Sequence, residues 1–529
     1  MAPDVLTPGP AGDPHDLDVL GRKFRLDVVT SVTEEMLDPE LVANLPVEWA
    51  RSHAMLPVHF RSQIAVLTAQ PDDLSGQKHL ELLLGRELLP VLASRETITS
   101  AIERCYFSRQ ETPLEFLRDM DPLAATVIVE SRSDDLLQVA ENAPVTQLIN
   151  LILLEAVKGG ASDVHVEPFE SRLRVRYRID GQLYEQASPP KHLEPALISR
   201  LKVMAHMDIS EKRLPQDGVA RVRIGEREID IRVSTIPVAE GERVVLRLLN
   251  RNTALLPLSG LGLSDAMLAS LGSILQESHG VFLVCGPTGS GKTTTLYAAL
   301  QRLNKDRTNI LTIEDPIEYQ LPDIGQIQVK PKIGLTFAAG LRHILRQDPD
   351  TILVGEIRDL ETAEIAIRAS LTGHLVFSTL HTNDAPSAVI RLIDMGIEPY
   401  LLAASLRAIM AQRLVRCLCP VCRERVPAEN PAPVLPAAVK EKIGKKPIWQ
   451  ARGCPACLDG YHGRTGLFEL MMVDAEMAEA IRTASSDSRR IYELAVRRGM
   501  ITLLDDGLVK LADGVTSLAE IMRTLGKFG

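Results

Sequence analysis

The sequence predicts an α/β protein of several domains, the largest of which is a doubly wound parallel sheet. At roughly 150 residues per domain, the 529 residues suggest three or four domains. Between residues 264 and 410, four short apolar segments alternate with helical patterns, as the strands and helices of such a sheet do. Hydrophobic residues make up 45% of the chain and aromatic residues only 4%, so we expect aliphatic cores.

The composition narrows the classes of function. The formal net charge of −10 argues against a dedicated nucleic-acid binder, because such proteins need a basic surface. No run of about 18 apolar residues predicts a membrane span. The segment Met1–Asp18 lacks the basic start and apolar core of a signal peptide. We therefore expect a cytoplasmic protein that reaches a membrane only through a partner or a surface patch.

Changes in composition and periodicity divide the chain into segments. Apolar residues at helical spacing begin after Ala143 and end before Gly159, and strand-like alternation continues to about Asn250. The predicted segments are a disordered tail (1–18), a small α/β domain (19–107), a charged linker (108–141), a second α/β domain (142–250), a short linker (251–263), the sheet domain (264–410), a cysteine-bearing module (411–465) and a helical C-terminal region (466–529).

Individual strands are predicted from alternating or short apolar runs. In the second α/β domain they are residues 163–167, 172–179, 219–224 and 228–234. In the sheet domain they are residues 281–285, 310–313, 351–354 and 375–379. Because parallel strands end at one edge of a sheet, the residues that follow them should line a common crevice.

A phosphate-binding loop is predicted between the first strand of the sheet domain and a helix over residues 294–303. Residues 286–293 match G-x-x-x-x-G-K-[ST] at every position. The glycines let successive N–H groups point at phosphate oxygens, and the positive end of the helix adds to this. Lys292 should contact the β- and γ-phosphates, and Thr293 should hold Mg²⁺. The predicted nucleotide-binding residues are Gly286, Pro287, Thr288, Gly289, Ser290, Gly291, Lys292, Thr293 and Thr294.

Two later strands of the sheet domain end in carboxylates. These are Glu314, Asp315, Glu318, Glu356 and Asp359. One carboxylate could hold Mg²⁺ through water, and another could polarise the attacking water. Alternatively, some of them cap helices or pair with Arg358, which we expect for Asp359. We expect the same for one of Glu314 and Asp315.

Two histidines flank the strand over residues 375–379. Thr379 and His381 stand where a sensor of the γ-phosphate would lie. A lone histidine is usually structural, but two of them beside a phosphate loop favour a functional role for at least one of His374 and His381.

Four of the seven cysteines form two Cys-x-x-Cys pairs separated by 31 residues, Cys419 with Cys422 and Cys454 with Cys457. In a reducing compartment such pairs indicate metal ligands, and four thiolates suit a closed, structural Zn²⁺ site. We expect one Zn²⁺ per chain. A redox pair is the alternative, although neither pair follows the strand that a thioredoxin-like site needs. Cys105, Cys285 and Cys417 are predicted to be small buried hydrophobes.

These motifs together resemble those of the secretion-superfamily ATPases, whose known members power type II secretion, type IV pilus assembly and pilus retraction. The resemblance rests on residues 286–293, 312–318, 346–359 and 372–383, in this order, and it covers about residues 143–529. It implies a RecA-like P-loop ATPase core. The pattern is most similar to that of type II secretion assembly ATPases, with pilus-assembly ATPases as the alternative.

The resemblance implies catalytic roles. Glu318 matches the general base of the family's Asp box, and Glu356 matches its Walker B glutamate. Because Gly355 stands where most Walker B elements have an aspartate, Glu356 is expected to position Mg²⁺ as much as water. His374 and His381 match the His box, and His381 joins Lys292, Glu318 and Glu356 in the predicted catalytic set.

Arginines complete the predicted site. In the family the preceding domain supplies arginines to the phosphates across a mobile cleft, and Arg232 and Arg243 match these. Arg342 and Arg346 also match. Their spacing of four puts them on one helix face, from which they would reach a neighbouring site. Relatives commonly carry an arginine where this chain has Val219, and Arg221, on the same strand face, is its expected substitute.

The resemblance also implies partners. Residues 45–58 are similar to a segment of type II secretion ATPases in which the N-terminal domain docks on the cytoplasmic part of an inner-membrane protein. The expected assembly is a homohexamer without nucleic acid. The four-cysteine module is present in secretion and pilus-assembly ATPases and generally absent from retraction ATPases.

The resulting expectation is a cytoplasmic motor, held at the inner membrane by platform proteins, that uses ATP, Mg²⁺ and Zn²⁺. It would drive pseudopilus assembly and export in type II secretion, or alternatively pilus assembly. The acidic charge disfavours a nucleic-acid translocase. A non-catalytic nucleotide-binding scaffold would be favoured if the acidic clusters were structural.

Overall fold

The computed structural model describes residues 14–61, 63–108, 112–119, 144–224, 227–250, 256–303, 306–427, 448–483 and 488–526. The chain divides into two units, Met1–Asn252 and Thr253–Gly529. None of the helices in the described ranges combines the length and the apolar composition needed to cross a bilayer.

A four-stranded sheet organises the start of the first unit. Its elements are α1 (Pro14–Phe24), β1 (Val28–Val29), α2 (Val47–His53), β2 (Met55–Phe60), β3 (Gln63–Thr68), α3 (Leu74–Leu84), β4 (Leu89–Ala93) and α4 (Arg95–Ser108), with 3₁₀ turns over Glu34–Met36 and Pro39–Val42. The strand order is β1-β4-β3-β2, and only β2 and β3 pair antiparallel. Residues from α2, α3 and α4 pack against the sheet in one aliphatic core, which confirms the predicted small α/β domain.

Two boundaries near this domain differ from the prediction. Residues 14–18 begin α1, so the predicted disorder over 1–18 is wrong there, and residues 1–13 lie outside the described residues. Within the predicted linker, α5 (Pro113–Asp119) forms because Thr112 and Glu115 exchange side-chain-to-backbone hydrogen bonds of 2.9 and 3.2 Å, as in a capping box. The remaining linker residues, 109–111 and 120–141, lie outside the described residues.

A six-stranded antiparallel sheet forms the second domain. Its elements are α6 (Pro144–Lys158), β5 (Asp163–Pro168), β6 (Leu173–Ile179), β7 (Gln182–Ala187), α7 (Glu194–Met204), β8 (Gln216–Ile224), β9 (Arg227–Val238) and β10 (Gly241–Asn250), with a 3₁₀ turn over Lys191–Leu193. The order is β7-β6-β5-β10-β9-β8. The four predicted strands are confirmed, and β7 and β10 are additional. Helices α6 and α7 bury one face of the sheet, while polar residues alternate onto the other.

A seven-stranded sheet forms the centre of the second unit. Its helices are α8 (Asp265–Ile274), α9 (Lys292–Gln301), α10 (Phe337–Ile344), α11 (Leu360–Leu371), α12 (Ala385–Asp394) and α13 (Pro399–Ser405). Its strands are β11 (Gly280–Cys285), β12 (Ile310–Glu314), β13 (Gly325–Gln328), β14 (Thr351–Val354), β15 (Leu375–Leu380), β16 (Leu406–Leu418) and β19 (Tyr461–Met472). In the order β13-β12-β14-β15-β11-β16-β19, every neighbouring pair is parallel except β16 with β19. The predicted parallel sheet is therefore confirmed, with one antiparallel edge strand added.

The cysteine module lies between the last two strands of this sheet. It contributes β17 (Glu424–Val426) and β18 (Ile448–Gln450), which pair antiparallel, while residues 428–447 lie outside the described residues. Helices α14 (Ala475–Arg482), α15 (Arg489–Arg497), α16 (Leu503–Ala512) and α17 (Leu518–Leu525) follow. The predicted helical start at residue 466 is wrong, because residues 467–471 are buried as a sheet strand.

Candidate functional site

The phosphate loop joins β11 to α9, as the sequence predicts. Gly286, Gly289 and Gly291 have φ values of 152°, 79° and 85°, which residues with a Cβ rarely adopt. Lys292 is buried, and its ammonium donates to the carbonyl oxygens of Gly286 and Pro287 at 2.8 and 3.1 Å. Burial lowers the pKa of Lys292, and the negative charge of Glu356 opposes this. Strand, loop and helix thus bring together one cation and a row of backbone N–H groups, a geometry that fits phosphates.

One buried hydroxyl in this loop has no hydrogen-bond partner among the described residues. The Oγ atom of Ser290 is inaccessible to water and makes no hydrogen bond within the part of the chain that the structure describes. Buried polar atoms are nearly always hydrogen-bonded, so such an atom at a loop of this geometry is consistent with a site completed by a ligand. Thr293 lies in the first turn of α9, where its hydroxyl is an oxygen donor suited to Mg²⁺.

Glu314 has a structural role. The carboxylate is 3% exposed and accepts hydrogen bonds from Thr312 Oγ1 at 2.6 Å and from Gln326 Nε2 at 3.1 Å. It also accepts one from the hydroxyl of Tyr297, on α9. Its oxygens are therefore occupied by the fold, through contacts other than the helix cap or the pair with Arg358 that we expected for one of Glu314 and Asp315. Asp315 itself is exposed and precedes a cis peptide bond to Pro316.

Glu356, two residues after β14, is held by two cationic or polar partners. His381 Nε2 lies 3.0 Å from its Oε2 atom, and the Arg358 guanidinium binds its other oxygen. Partial burial raises the pKa of Glu356, but the hydrogen bonds from Arg358 and His381 outweigh burial and lower it. The carboxylate is consequently ionised at neutral pH at the carboxyl edge of the sheet.

Asp359 and Glu318 differ in their surroundings. Asp359 caps α11 by accepting from the backbone N–H of Thr362 at 2.8 Å, as the sequence predicts. The main chain of Glu318 and Tyr319 passes beside the hydroxyl of Tyr297 on the phosphate-loop helix. Among the described residues, the Glu318 carboxylate has no hydrogen bond or ion pair, so its oxygens are available for chemistry.

The two histidines of the His box lie at opposite ends of β15. His374 Nδ1 is 2.8 Å from the carbonyl of Ala369, at the end of α11, which is a local structural contact. His381 follows the strand by one residue, roughly 20 Å away along a six-residue strand, and contacts Glu356. The hydroxyl of Thr379 donates to the Gly355 carbonyl at 2.7 Å. Of the two histidines, only His381 is at the edge that carries the phosphate loop.

Arg342 and Arg346 do not share a helix face. Helix α10 ends at Ile344, because Asp348 has a φ of 50° and Pro349 follows it, and both oppose continuation of the helix. Arg342, in the last turn, pairs with Glu361 on α11. The predicted single face is therefore wrong, and the proposed contact of these arginines with a neighbouring site stays a prediction.

The arginines of the second domain lie on the polar face of its sheet. Arg232 on β9 is opposite Val219 on one side and Arg247 on the other, and these three residues help to line an open pocket of about 470 Å³. Arg221 lies on the same exposed face as Val219, as predicted, and its Nε donates to Asp230 at 3.1 Å.

Arg243 is held by a buried carboxylate on the neighbouring strand. Its Nη2 atom is 2.8 Å from Glu167, which also receives two hydrogen bonds from Arg176, of 2.8 and 2.7 Å. Burial opposes ionisation of Glu167, but Arg176 and Arg243 keep its pKa below the ordinary value. Arg243 is thus oriented by the sheet, whereas the roles of Arg232 and Arg243 in turnover stay predictions.

The four cysteines converge as predicted. Their Sγ atoms all lie within 4.8 Å of one another: Cys419 and Cys454 are 3.9 Å apart, Cys422 and Cys457 are 3.7 Å apart, and Cys454 and Cys457 are 3.6 Å apart. Four thiolates bound to one Zn²⁺ at about 2.3 Å would lie about 3.8 Å from one another. All four thiols are free, so none of them forms the disulfide of a redox pair. Cys105 and Cys285 are buried, as expected, whereas Cys417 is half-buried.

Several side chains around the phosphate loop were not predicted. Tyr297, Gln326 and Gln412 are polar residues on three different elements, and each is hydrogen-bonded to Glu314 or, for Gln412, to Thr295 on α9. Their spacing in the sequence contains no signal, because each one acts through a contact between distant segments. None of the motifs recognised in the sequence includes Gln412.

Comparisons with known families agree with these observations. The profile of the family described as type II/IV secretion system protein matches residues 138–523, and that of the MshEN domain matches residues 24–112. The ATPase DotB of Legionella pneumophila has a similar fold, with a TM-score of 0.54 at 20% identity, over 71% of this chain and 95% of that chain.

Three curated relatives are similar over long ranges. The chain is 45% identical over 483 residues to type II secretion system protein E of Pseudomonas aeruginosa (90% of this chain, 95% of that protein). It is 51% identical over 395 residues to type II secretion system ATPase E of Vibrio cholerae (74% and 77%). It is 43% identical over 512 residues to the type IV pilus assembly ATPase PilB of Myxococcus xanthus (96% and 90%). The chain belongs to the type II/IV secretion system protein family, and it is a P-loop ATPase of that family.

Proposed function

We propose that this chain is the ATPase motor of a type II secretion system, in which it drives assembly of the pseudopilus and export of proteins. The observation that carries the proposal is the complete phosphate loop beside the ionised Glu356, at the carboxyl edge of a parallel sheet. Support for the system comes from relatives named type II secretion system protein E, one of which is 45% identical over 90% of this chain.

The proposed reaction is attack of water on the γ-phosphorus of ATP, which releases ADP and phosphate. The N–H groups of residues 286–293 and the ammonium of Lys292 bind the phosphates and offset the charge that develops on them. Thr293 and Glu356 offer the hydroxyl and carboxylate oxygens that suit Mg²⁺, which would polarise the phosphates. Glu318 accepts the proton of the attacking water, because its carboxylate makes no contact of its own among the described residues.

His381 is proposed to orient Glu356. Its imidazole lies 3.0 Å from one oxygen of Glu356, and His381 directly follows β15. A movement of Glu356 that accompanies a change at the γ-phosphate would therefore be transmitted through His381 to this strand. Arg232 and Arg243 are proposed to take part in turnover by stabilising charge on the transferred phosphoryl group. Their support is the match to the family's arginines.

The four-cysteine cluster is proposed to hold one structural Zn²⁺. Four sulfur ligands with Sγ separations of 3.6–3.9 Å suit a tetrahedral ion with no open position. The small sheet of β17 and β18 beside the cluster packs through Ile448 against Leu511 and Ile521. Zn²⁺ would therefore stabilise the attachment of α16 and α17.

The proposed assembly is a homohexamer that binds inner-membrane platform proteins through residues 19–107. The MshEN match over residues 24–112 supports treating this region as a separate module with a docking role. The protein would work on the cytoplasmic face of the membrane, reached through these partners.

Assembly of a type IV pilus is the second candidate, because the relative of that name covers 96% of this chain at 43% identity. The test is binding of the full-length protein to the cytoplasmic domains of the inner-membrane proteins of the host's secretion and pilus systems, measured by calorimetry. We expect binding to the secretion partner alone.

Each result of this test has a defined meaning. Binding only to the pilus partner would overturn the assignment to secretion and leave the ATPase chemistry intact. A deletion of residues 1–107 serves as the control, and it should bind neither partner if the N-terminal domain is the docking module.

A further inference from the structure

Gln412 is a buried residue that lies beside the phosphate loop at both of its ends, with its backbone carbonyl near Gly286 and its side-chain amide near Gly291. It is 2% exposed and lies on β16, next to Ala411, which pairs with Cys285. Because β16 runs parallel to β11 and extends past it, Gln412 stands beside the first residue of the loop. A Cβ atom on Gly286 would be 2.5 Å from the carbonyl oxygen of Gln412, and one on Gly291 would be 2.9 Å from its Nε2 atom.

A hydrogen bond joins Gln412 to the helix that follows the loop. Its Oε1 atom accepts from the hydroxyl of Thr295 at 2.7 Å, and Thr295 is fully buried in the first turn of α9. Thr295 is three residues after Lys292, so this bond ties β16 to the turn that presents the lysine. The glycines at 286 and 291 allow the loop backbone to approach Gln412 closely.

We propose that Gln412 is a positioning residue for ATP, which holds the phosphate loop and the first turn of α9 in the geometry that binds phosphates. The inference rests on the proposed ATP site. Phosphate binding requires the loop N–H groups to be placed within about 0.5 Å, and a small displacement of the loop weakens several hydrogen bonds together. If Gln412 only filled space, its substitution would lower the folding stability and would not weaken ATP binding more than adenosine binding.

The test compares affinities for ATP and for adenosine in full-length Gln412→Ala, Thr295→Val and the double variant. Loss of one buried hydrogen bond corresponds to about a 5- to 10-fold change in an equilibrium constant. We expect ATP affinity to fall by this factor in both single variants, and adenosine affinity to change less than twofold, because adenosine has no phosphate. The double variant should lose no more than the more affected single variant, since both remove one interaction.

Two further variants separate positioning from folding. Thr295→Ser keeps the hydroxyl and should restore wild-type ATP affinity. Ser405→Ala removes another buried hydroxyl, which immediately precedes the first residue of β16, at the end of the strand away from Gln412. This variant should have lower folding stability but unchanged ATP affinity. If Gln412→Ala proves unstable, the two Thr295 variants decide the question.

Two results would overturn the proposal: wild-type ATP affinity in Gln412→Ala and Thr295→Val, or equal losses for ATP and adenosine. Turnover by the wild-type protein is measured separately. Its absence would count against the proposed ATPase function but leave the binding comparison intact.

Discussion

Glu314 and Glu356 show how the same residue type acquires two roles at the ends of neighbouring strands. Glu314 is 3% exposed and shares its oxygens with Thr312, Gln326 and Tyr297, so it organises the fold around α9. Among the described residues, Glu356 is bound by Arg358 and His381, both of which have exposed side chains. An available carboxylate can serve catalysis, whereas a fully hydrogen-bonded buried one cannot without disrupting the core.

Substitution of Lys292 tests the phosphate loop directly. Lys292→Ala should lower kcat for ATP by more than about 100-fold, because a preorganised charge at the developing negative charge is lost. The circular dichroism spectrum and the urea midpoint should stay close to wild type. Lys332→Ala, an exposed lysine in the same unit, is the control and should turn over normally. Wild-type turnover by Lys292→Ala would refute the proposed site.

Arg358 should control the acid limb of the pH profile. Since its hydrogen bond lowers the pKa of Glu356, Arg358→Ala should raise that pKa, and the loss of kcat on acidification should begin at a higher pH. Arg368→Ala, on the exposed side of α11, should leave the profile unchanged. An acid limb that stays in place, or moves to lower pH, would show that Glu356 does not limit turnover there.

Strand β16 connects four parts of the second unit. It passes the phosphate loop at Gln412, pairs with the antiparallel β19, and ends one residue before Cys419. Near its end, Arg416 forms an ion pair of 2.9 Å with Glu520 on α17. A single strand thus contributes to the nucleotide site, the edge of the sheet, the cysteine module and the attachment of the C-terminal helix.

Glu520→Gln should destabilise the protein by about 3 kcal/mol, because it leaves the largely buried Arg416 without its carboxylate. Burial opposes ionisation of Glu520, but hydrogen bonds from Arg523 and Arg416 outweigh it and lower the pKa. The contribution of Glu520 is therefore present above the ordinary glutamate pKa of about 4.3 and lost as the pH falls through the lowered value.

Urea denaturation at pH 7 and at acid pH measures this difference. The gap between wild type and Glu520→Gln should be largest at neutral pH and shrink on acidification. Glu479→Gln removes an exposed pair with Arg482 and should change stability by less than about 0.5 kcal/mol. Equal effects of the two substitutions would mean that the buried pair is not a stabilising contact.

Zinc should be present at one ion per chain in the purified protein, measured by elemental analysis. Cys422→Ser should lower the zinc content and increase hydrogen exchange in α16 and α17, since their packing on β18 depends on the module. Cys417→Ser lies outside the four-cysteine cluster and should keep the metal. Protein that contains no zinc would exclude the assignment.

The division of the chain at residue 252 separates two sets of predicted site residues. The phosphate loop, Glu318, Glu356 and His381 belong to the second unit, while Arg232 and Arg243 belong to the first. The family profile spans residues 138–523 and so includes both sets. Catalysis that depended on both units would make turnover a property of the full chain.

Substitution of Arg243 tests this dependence. Arg243→Ala should lower kcat by at least about tenfold, as expected for an arginine that stabilises phosphoryl-transfer charge. Arg243→Lys should not restore the rate, because an ammonium lacks the planar, forked donors of a guanidinium. Arg172→Ala, an exposed arginine of the same domain, is the control. Normal kcat in Arg243→Ala would remove this residue from the catalytic set.

Local patterns were enough to predict the phosphate loop, the clustering of the four cysteines, the carboxylates that follow the parallel strands and the helix cap at Asp359. In each case the residues that act together are close in the sequence or follow a fixed spacing, so their chemistry is visible without the fold. The strands were also predictable, since burial of both sheet faces imposes continuous apolar runs.

Contacts between distant segments decided the rest. Gln412 accepts a hydrogen bond from Thr295, which is 117 residues away in the sequence. The carboxylate of Glu314 accepts hydrogen bonds from Tyr297, which precedes it in the sequence, and from Gln326, which follows it. Two strands that flank the cysteine module joined the sheet, although the sequence alone suggested that the sheet domain had ended. A polar side chain can have a catalytic, a positioning or a structural role. Which of these it has depends on the hydrogen-bond partners available to it in the folded protein, and only the packed structure determines those partners.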